Sequence, residues 1–327
     1  ELHLTNTIVE DNRTVRSTNL IPTLNGGGIY VSNATALSIT GGSRIADNQT
    51  SGYGGGVANF GAWLFTLTDS KVSGNKASTG GGIYTGGSAL TLTDALIEGN
   101  EAEVTGGGIA HAIGTMTLTG STVRGNTAGS QGGGIHLQGL NPSRTTVRDS
   151  TISGTTAHNP DGDPALGGGI YVEGSAPNLT VIDSTISGNV ADNGGGAYIY
   201  AVPIGTAPSL VNITVSGNTA TNDGGGLFVA GVATVRFATI TGNSADSDAD
   251  GVGSGGGLIQ VGNLHTVGSS ILVGNRRGVS TPDDCGSPIV SAGYNVAGPG
   301  CTANGTTDIS FSRSAATVLE ATLADNG

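Results

Sequence analysis

Val72-Ser73-Gly74-Asn75-Lys76-Ala77-Ser78-Thr79-Gly80-Gly81-Gly82-Ile83-Tyr84 is one beat of a repeat that runs through most of the chain. Its two marks are an aliphatic-x-x-Asn step and a glycine triplet followed by an apolar residue. The triplet occurs nine times, starting at Gly26, Gly54, Gly80, Gly106, Gly132, Gly167, Gly194, Gly224 and Gly255. The marker asparagines are Asn12, Asn48, Asn75, Asn100, Asn126, Asn189, Asn218, Asn243 and Asn275, with Thr155 standing in once. Triplets lie about 26 residues apart where the repeat is tightest, a period that belongs to solenoids and is too short for propeller blades.

Aligned on the marker, the chain resolves into columns. Three residues before it stand Val9, Ile45, Val72, Ile97, Val123, Ile152, Ile186, Val215, Ile240 and Leu272, and two residues after it Ala77, Ala102, Ala128, Ala157, Ala191, Ala220 and Ala245. Between columns the pattern alternates, as in Leu90-Thr91-Leu92-Thr93, which means short strands with one buried face. No coil can bury its own apolar side, so coils must stack, each strand pairing with its counterpart in the next. Parallel connections of this kind are right-handed. The expected fold is therefore all-β: a right-handed parallel β-helix of about ten coils over residues 1–277, with a C-terminal irregular or capping segment over 278–327. Glycine at the triplet permits positive φ and close backbone approach. The marker Asn is expected in the left-handed region at the opposite corner, bonded to its neighbours above and below.

Composition agrees. Glycine supplies 60 of 327 residues and charged residues only 11%, with a net charge of −12. Twelve Lys and Arg offer no basic stripe for nucleic acid, and no apolar run suggests membrane insertion by this segment. Cys285 and Cys301 are the only cysteines. They fit one disulfide closing a short loop, the alternative being two free thiols, and with scarce lysine they point to a secreted or cell-surface protein. Because Glu1 already stands inside a repeat, a mature or trimmed chain is expected.

Gly80-Gly81-Gly82-Ile83 together with Val72-Ser73-Gly74-Asn75 resembles the repeat of chlamydial polymorphic outer-membrane proteins. More broadly it is similar to bacterial right-handed β-helix surface proteins of the pectate-lyase-like superfamily. The tail, with Asp284-Cys285, Gly293-Tyr294-Asn295, Cys301 and residues 323–327, resembles the closing segment of large secreted bacterial β-helix proteins. The resemblance implies surface display and often adhesion, without naming a ligand.

Chemistry is sparse. Asp69, Asp94, Asp149 and Asp183 share a column six residues before the marker, with Gly120 and Asn212 in the same place. An acidic stripe binding cations is one reading, and a row of corner residues bonding their own turns is the preferred one. No Arg or Lys column accompanies it, as a lyase acting on acidic sugars would need, although Arg124, Arg144 and Arg148 cluster loosely. The histidines His3, His111, His136, His158 and His265 show no zinc spacing.

The sharpest local signal is Asp246-x-Asp248-x-Asp250-Gly251, alternating oxygen ligands of the kind that wrap calcium. Asn159-x-Asp161-x-Asp163 is a weaker relative at the same corner. The twelfth position of the first loop is Gly257, which excludes an EF-hand. A further column, two residues after each triplet, holds Tyr30, Tyr84, His136, Tyr171, Tyr198 and Phe228. The successive rings of Tyr171, Tyr198 and Phe228 form a surface aromatic column able to stack on sugars or a partner, or simply on one another. Sequons at Asn12, Asn33, Asn48, Asn178, Asn212 and Asn304 arise readily in so Asn- and Thr-rich a repeat.

The favoured reading is a non-enzymatic surface protein, structural or adhesive, whose partners are other surface proteins, glycans or copies of itself, with end-to-end assembly into filaments as one form. The alternative is a polysaccharide lyase or hydrolase using Asp149 and Asp183 beside Arg148. Calcium is the one expected cofactor.

Overall fold

The computed structural model describes residues 1–14, 25–138, 143–174, 178–201, 207–262, 266–302 and 305–310, and the backbone alone of Ser88. His265, the Asn304 sequon and the tail run 323–327 lie outside them.

The coil that begins at Gly54 shows the plan. A triplet strand, Val57–Asn59, leads to a middle strand, Leu64–Thr68. A corner at Asp69 (φ 45°) opens the marker strand, Lys71–Ser73, and a second corner at Gly74 (φ 65°) leads through Asn75 into the alanine strand, Lys76–Thr79. Gly80 (φ 66°) then turns the chain into the next coil. Each residue at these corners adopts the left-handed region that side chains disfavour, so Gly, Asp and Asn recur there.

Stacking is parallel and in register. Val9 pairs with Ile45, Ile45 with Val72, Val72 with Ile97, Ile97 with Val123 and Val123 with Ile152, and the same column runs on through Ile186, Val215, Ile240 and Leu272. The expected solenoid is borne out, with nine triplet strands, from Ile29–Val31 to Leu258–Val261, marking about nine turns. Residues of the marker-strand and alanine columns are buried throughout the middle of the rod, and the aliphatic ones form a single continuous core.

The central and third glycines of the triplet are required by space. A methyl on Gly81 would lie 2.5 Å from the carbonyl oxygens of Glu101 and Gly107, and one on Gly82 would lie 2.6 Å from the Gly108 oxygen. Only glycine lets the backbone of adjacent coils approach this closely.

The marker asparagines form a buried ladder. Asn75 donates from its backbone N (3.0 Å) and Nδ2 (2.9 Å) to Asn100 Oδ1, and Asn100 repeats both bonds to Asn126 at 2.9 Å. From Asn48 onward the marker Nδ2 also reaches the carbonyl of the aliphatic column one coil back, as Asn100 does to Val72 (3.0 Å). Thr155 substitutes by donating Oγ1 to Asn189 Oδ1 at 2.8 Å. One expectation is corrected here. The markers do not adopt positive φ; the preceding residue does, as Gly74, Gly99 and Gly125, or Asp11 and Asp47. The ladder needs the marker amide to point along the rod, and the residue before it absorbs the turn.

Parallel stacking continues past residue 277. Val296–Ala297 pairs in parallel with Ile271–Leu272, and Ile309–Ser310 pairs with Val296–Ala297. The Asn ladder closes on Asp284, whose Oδ1 accepts from Asn275 N (2.7 Å) and Nδ2 (2.8 Å). A carboxylate accepts without needing to donate onward, which suits a last rung. Burial, against the two bonds from Asn275, pushes the Asp284 carboxyl up to about 6. Its contribution to stability is therefore largest below pH 4 and declines as pH rises towards 6, by at most about 3 kcal/mol. Asp284→Asn keeps the acceptor and is expected to remove that decline, raising stability at pH 7 relative to the parent while leaving pH 3.5 nearly unchanged. Urea titrations of both proteins at the two pH values check it.

Cys285 and Cys301 are joined, with Cα atoms 4.8 Å apart and 16 residues of separation. Reduction is expected to remove about 3 kcal/mol from this end and, because coils contact only their neighbours, to leave the central coils intact. Hydrogen exchange should show faster amides near Ala297 and unchanged ones at Ile97 and Val123.

Candidate functional site

The Asp column is built as corners. Asp69, Asp94, Asp149, Asp183 and Asn212 all have φ between 45° and 52°, and Gly120 has 59°. Asp183 is engaged on both oxygens, accepting from Arg148 Nη1 (2.9 Å) and from Asn212 Nδ2 (2.7 Å). Elsewhere opposite charges tie one coil to the next. Lys71 and Arg124 both pair with Glu98, and Lys76 pairs with Glu101. The Lys71 ammonium and then the Arg124 guanidinium hold the Glu98 carboxyl below its ordinary range. These charges are aligned coil to coil, and Glu98 and Arg124, with Asp47, line an open surface groove of about 550 Å³.

The loop after Asn243 brings Asp246, Asp248 and Asp250 together, with ligand oxygens able to lie within 4.8 Å of one another. Asp246 is buried and accepts from the Gly251 amide (3.2 Å), whereas Asp248 and Asp250 are exposed. In the related loop Asn159 Oδ1 is taken by the Asp161 amide (3.0 Å), a local turn, and Asp161 and Asp163 point to solvent.

The aromatic column is real and largely consumes its own faces. Tyr171 pairs in register with Tyr198, and Tyr198 with Phe228. Ring centroids step 5.3 Å from His136 to Tyr171, 5.6 Å to Tyr198 and 4.5 Å to Phe228, the last pair stacked nearly parallel. Tyr171 is only 5% exposed, so it is not a surface residue as expected, while Tyr198 and Phe228 are half-buried. Tyr171 donates to Glu173 (3.2 Å), and burial with that carboxylate raises its phenol pKa. A second cluster packs Tyr30, Phe60, Tyr53 and Tyr84 together.

Between the two clusters lies a polar break in the core that the column alignment passed over. Three residues after the triplet the chain carries Val31, Asn59, Thr85, His111, Leu137 and Val172 in register. Asn59, Thr85 and His111 are buried there, and Thr85 Oγ1 lies 2.6 Å from His111 Nδ1. Burial lowers the His111 pKa, so the ring is neutral at pH 7. Polar residues in an otherwise aliphatic column were the available signal. Beside them a cavity of 180 Å³ opens between Tyr84 and His136.

A rod of parallel coils with laddered corners and display on its flanks defines a β-solenoid protein. The right-handed beta helix region family matches residues 3–186 and again 114–276, so the chain belongs to the right-handed β-helix family. No curated protein and no solved structure matches it. Nothing in these comparisons singles out the chlamydial polymorphic outer-membrane proteins.

Proposed function

We propose that this protein is a non-enzymatic, extracellular or cell-surface β-helix, a structural or adhesive rod that presents its flanks to partners. The observation that carries the reading is the employment of Asp183 and Arg148, the residues best suited to a lyase. They pair with each other at 2.9 Å, and Asp183 also holds Asn212 on the next coil. A carboxylate committed to two partners at a strained corner is poorly free to take a proton from substrate. The disulfide supports an oxidising compartment. Incubation with acidic and neutral polysaccharides, with and without calcium, is expected to release no product. Turnover that Asp183→Ala abolishes would overturn the reading in favour of a lyase or hydrolase.

Calcium belongs to the same proposal, at the Asp246 loop, where one buried and two exposed carboxylates converge. Added calcium is expected to raise the melting temperature by a few degrees, and Asp248→Asn with Asp250→Asn to remove the shift. An unchanged melting temperature in the parent would discard the cation.

A further inference from the structure

The corner before the marker strand changes character towards the C-terminal end. From Asp69 to Asn212 it is held by Asp, Gly or Asn, whose short polar side chain or bare backbone suits the left-handed region. The next three rungs are Phe237 (φ 54°), Ser269 (φ 52°) and Tyr294 (φ 61°). They stack in order, Phe237 N donating to the Gly268 carbonyl (3.2 Å) and Ser269 N to that of Gly293 (2.8 Å). A bulky residue at positive φ is a backbone outlier. The fold explains the angle, since every coil turns here, but it does not explain the choice of residue. Phe237 is 58% and Tyr294 72% exposed, and neither ring packs on another among the described residues. Disfavoured backbone that the packing does not require is found at contact sites.

The same change frees a charge. Arg148 and Arg236 occupy equivalent places three coils apart, in register through Ile182 and Val211. Arg148 Nη1 reaches Asp183, the corner residue one coil on, at 2.9 Å. One coil on from Arg236 the corner residue is Ser269. The exposed Arg236 guanidinium has no ion pair or hydrogen bond among the described residues.

We propose that Arg236, Phe237, Ser269 and Tyr294 form a docking point for a partner protein's segment in which an aromatic residue neighbours an acidic one. Phe237 and Tyr294 stand two strand spacings apart, about 9.6 Å, and Ser269 between them is too small to fill the gap. Rings elsewhere on this rod pack at steps of 4.5–5.6 Å, so one further ring fits midway. The partner's carboxylate then gives Arg236 what Asp183 gives Arg148. Tyrosine and arginine are the residues in which interface hot spots are enriched. A cationic guest between the rings would meet Arg236, and a polyanion would meet a chain of net charge −12.

The inference deepens the reading of a rod that presents its flanks to partners, and the two fail separately. Saturation-transfer NMR on the whole chain, with N-acetyl-aspartyl-tyrosinamide and the reversed dipeptide as probes, is expected to show saturated tyrosine ring protons for at least one. Exchanging the probe's aspartyl for asparaginyl should weaken binding about twofold, and its tyrosyl for leucyl about fivefold. Phe237→Asn installs the residue that Asn212 already places at this corner, and is expected to weaken binding about fivefold. Its melting temperature should hold or rise, since Asn suits left-handed backbone better than Phe. Tyr294→Asn should act alike, and Arg236→Gln should erase the preference for aspartyl. Absence of saturation for every probe, or binding indifferent to both ring variants, would overturn the docking point. So would equal binding of the aspartyl and asparaginyl probes, or stronger binding of N-acetyl-argininamide, which would assign the rings to a cationic segment. A fall in melting temperature in both ring variants would overturn it as well, by giving the rings to the fold. Cleavage of a polysaccharide would overturn the non-enzymatic reading and leave the peptides to judge this corner.

Discussion

Asn100→Ala is expected to destabilise the rod by about 3–5 kcal/mol, well beyond the typical effect of a point substitution. The side chain is 1% exposed and makes four bonds. Its Oδ1 accepts from Asn75 N and Nδ2, and its Nδ2 donates to Asn126 Oδ1 and the Val72 carbonyl. Truncation takes a partner from each group in a site that solvent does not reach. Asn75 Nδ2 keeps the Ile45 and Ser73 carbonyls and Asn126 Oδ1 keeps the Asn100 amide, so the main losses fall on the Asn75 amide and the Val72 carbonyl, at about 1–3 kcal/mol for each buried group left unpaired. Some relaxation keeps the total below the sum. Asn100→Thr is expected to lose less, because Thr155 shows that a hydroxyl can fill this place, its single proton shared between Asn189 Oδ1 and the Gly168 carbonyl. Denaturant midpoints for the parent and both variants check the order. Equal losses for Ala and Thr would mean that the amide ladder is not what stabilises this corner.

Gly107→Ala is expected to be more severe and to prevent stable stacking at that coil. A methyl there would lie 2.3 Å from the carbonyl oxygens of both Gly133 and Thr127, backbone atoms of the next coil that cannot rotate away. Relief requires separating two coils, which breaks parallel pairing on either side. Gly99→Ala provides the contrast. Its φ is 61°, but nothing lies within 4 Å of the added atom, so the loss is the ordinary left-handed penalty of about 1–2 kcal/mol. Gly99→Asn should be milder still, since Asp11 and Asp47 occupy the same place with φ of 58° and 56°. Expression and melting temperature separate the two classes. A Gly107→Ala protein that melts within two degrees of the parent would contradict the close approach.

What the chain disclosed about itself follows from how strongly each position is constrained. Val72, Ile97 and Val123 were legible because a residue buried between two copies of itself must keep its size and polarity, coil after coil. The corner was less legible. Gly74 and Asn75 are neighbours, and both types tolerate positive φ, so the pattern alone could not decide which one turns and which one ladders. The burial of Tyr171 was hidden for another reason. A ring pointing away from the core reads as exposed until its neighbours on both sides, His136 and Tyr198, are seen to cover it.

The polar break in the core was the hardest feature to read, because Asn59, Thr85 and His111 stand out only as interruptions of an otherwise aliphatic column. Outward residues carry weaker constraints than inward ones, so function was less legible than fold throughout.

Register stacking along a single rod is the claim on which the ladder and the corners both depend. Paired spin labels on the marker-strand face test it, since Ser73, Glu98, Arg124, Ser153, Ser187, Ser216 and Thr241 follow one another in register and the native cysteines are bonded to each other. Labels at 73 and 187, four coils apart, should give a narrow distribution near 19 Å, and labels at 73 and 241, six coils apart, one near 29 Å, from about 4.8 Å per coil. Distances that fail to grow by about 10 Å between the two pairs, or that spread broadly, would contradict the account.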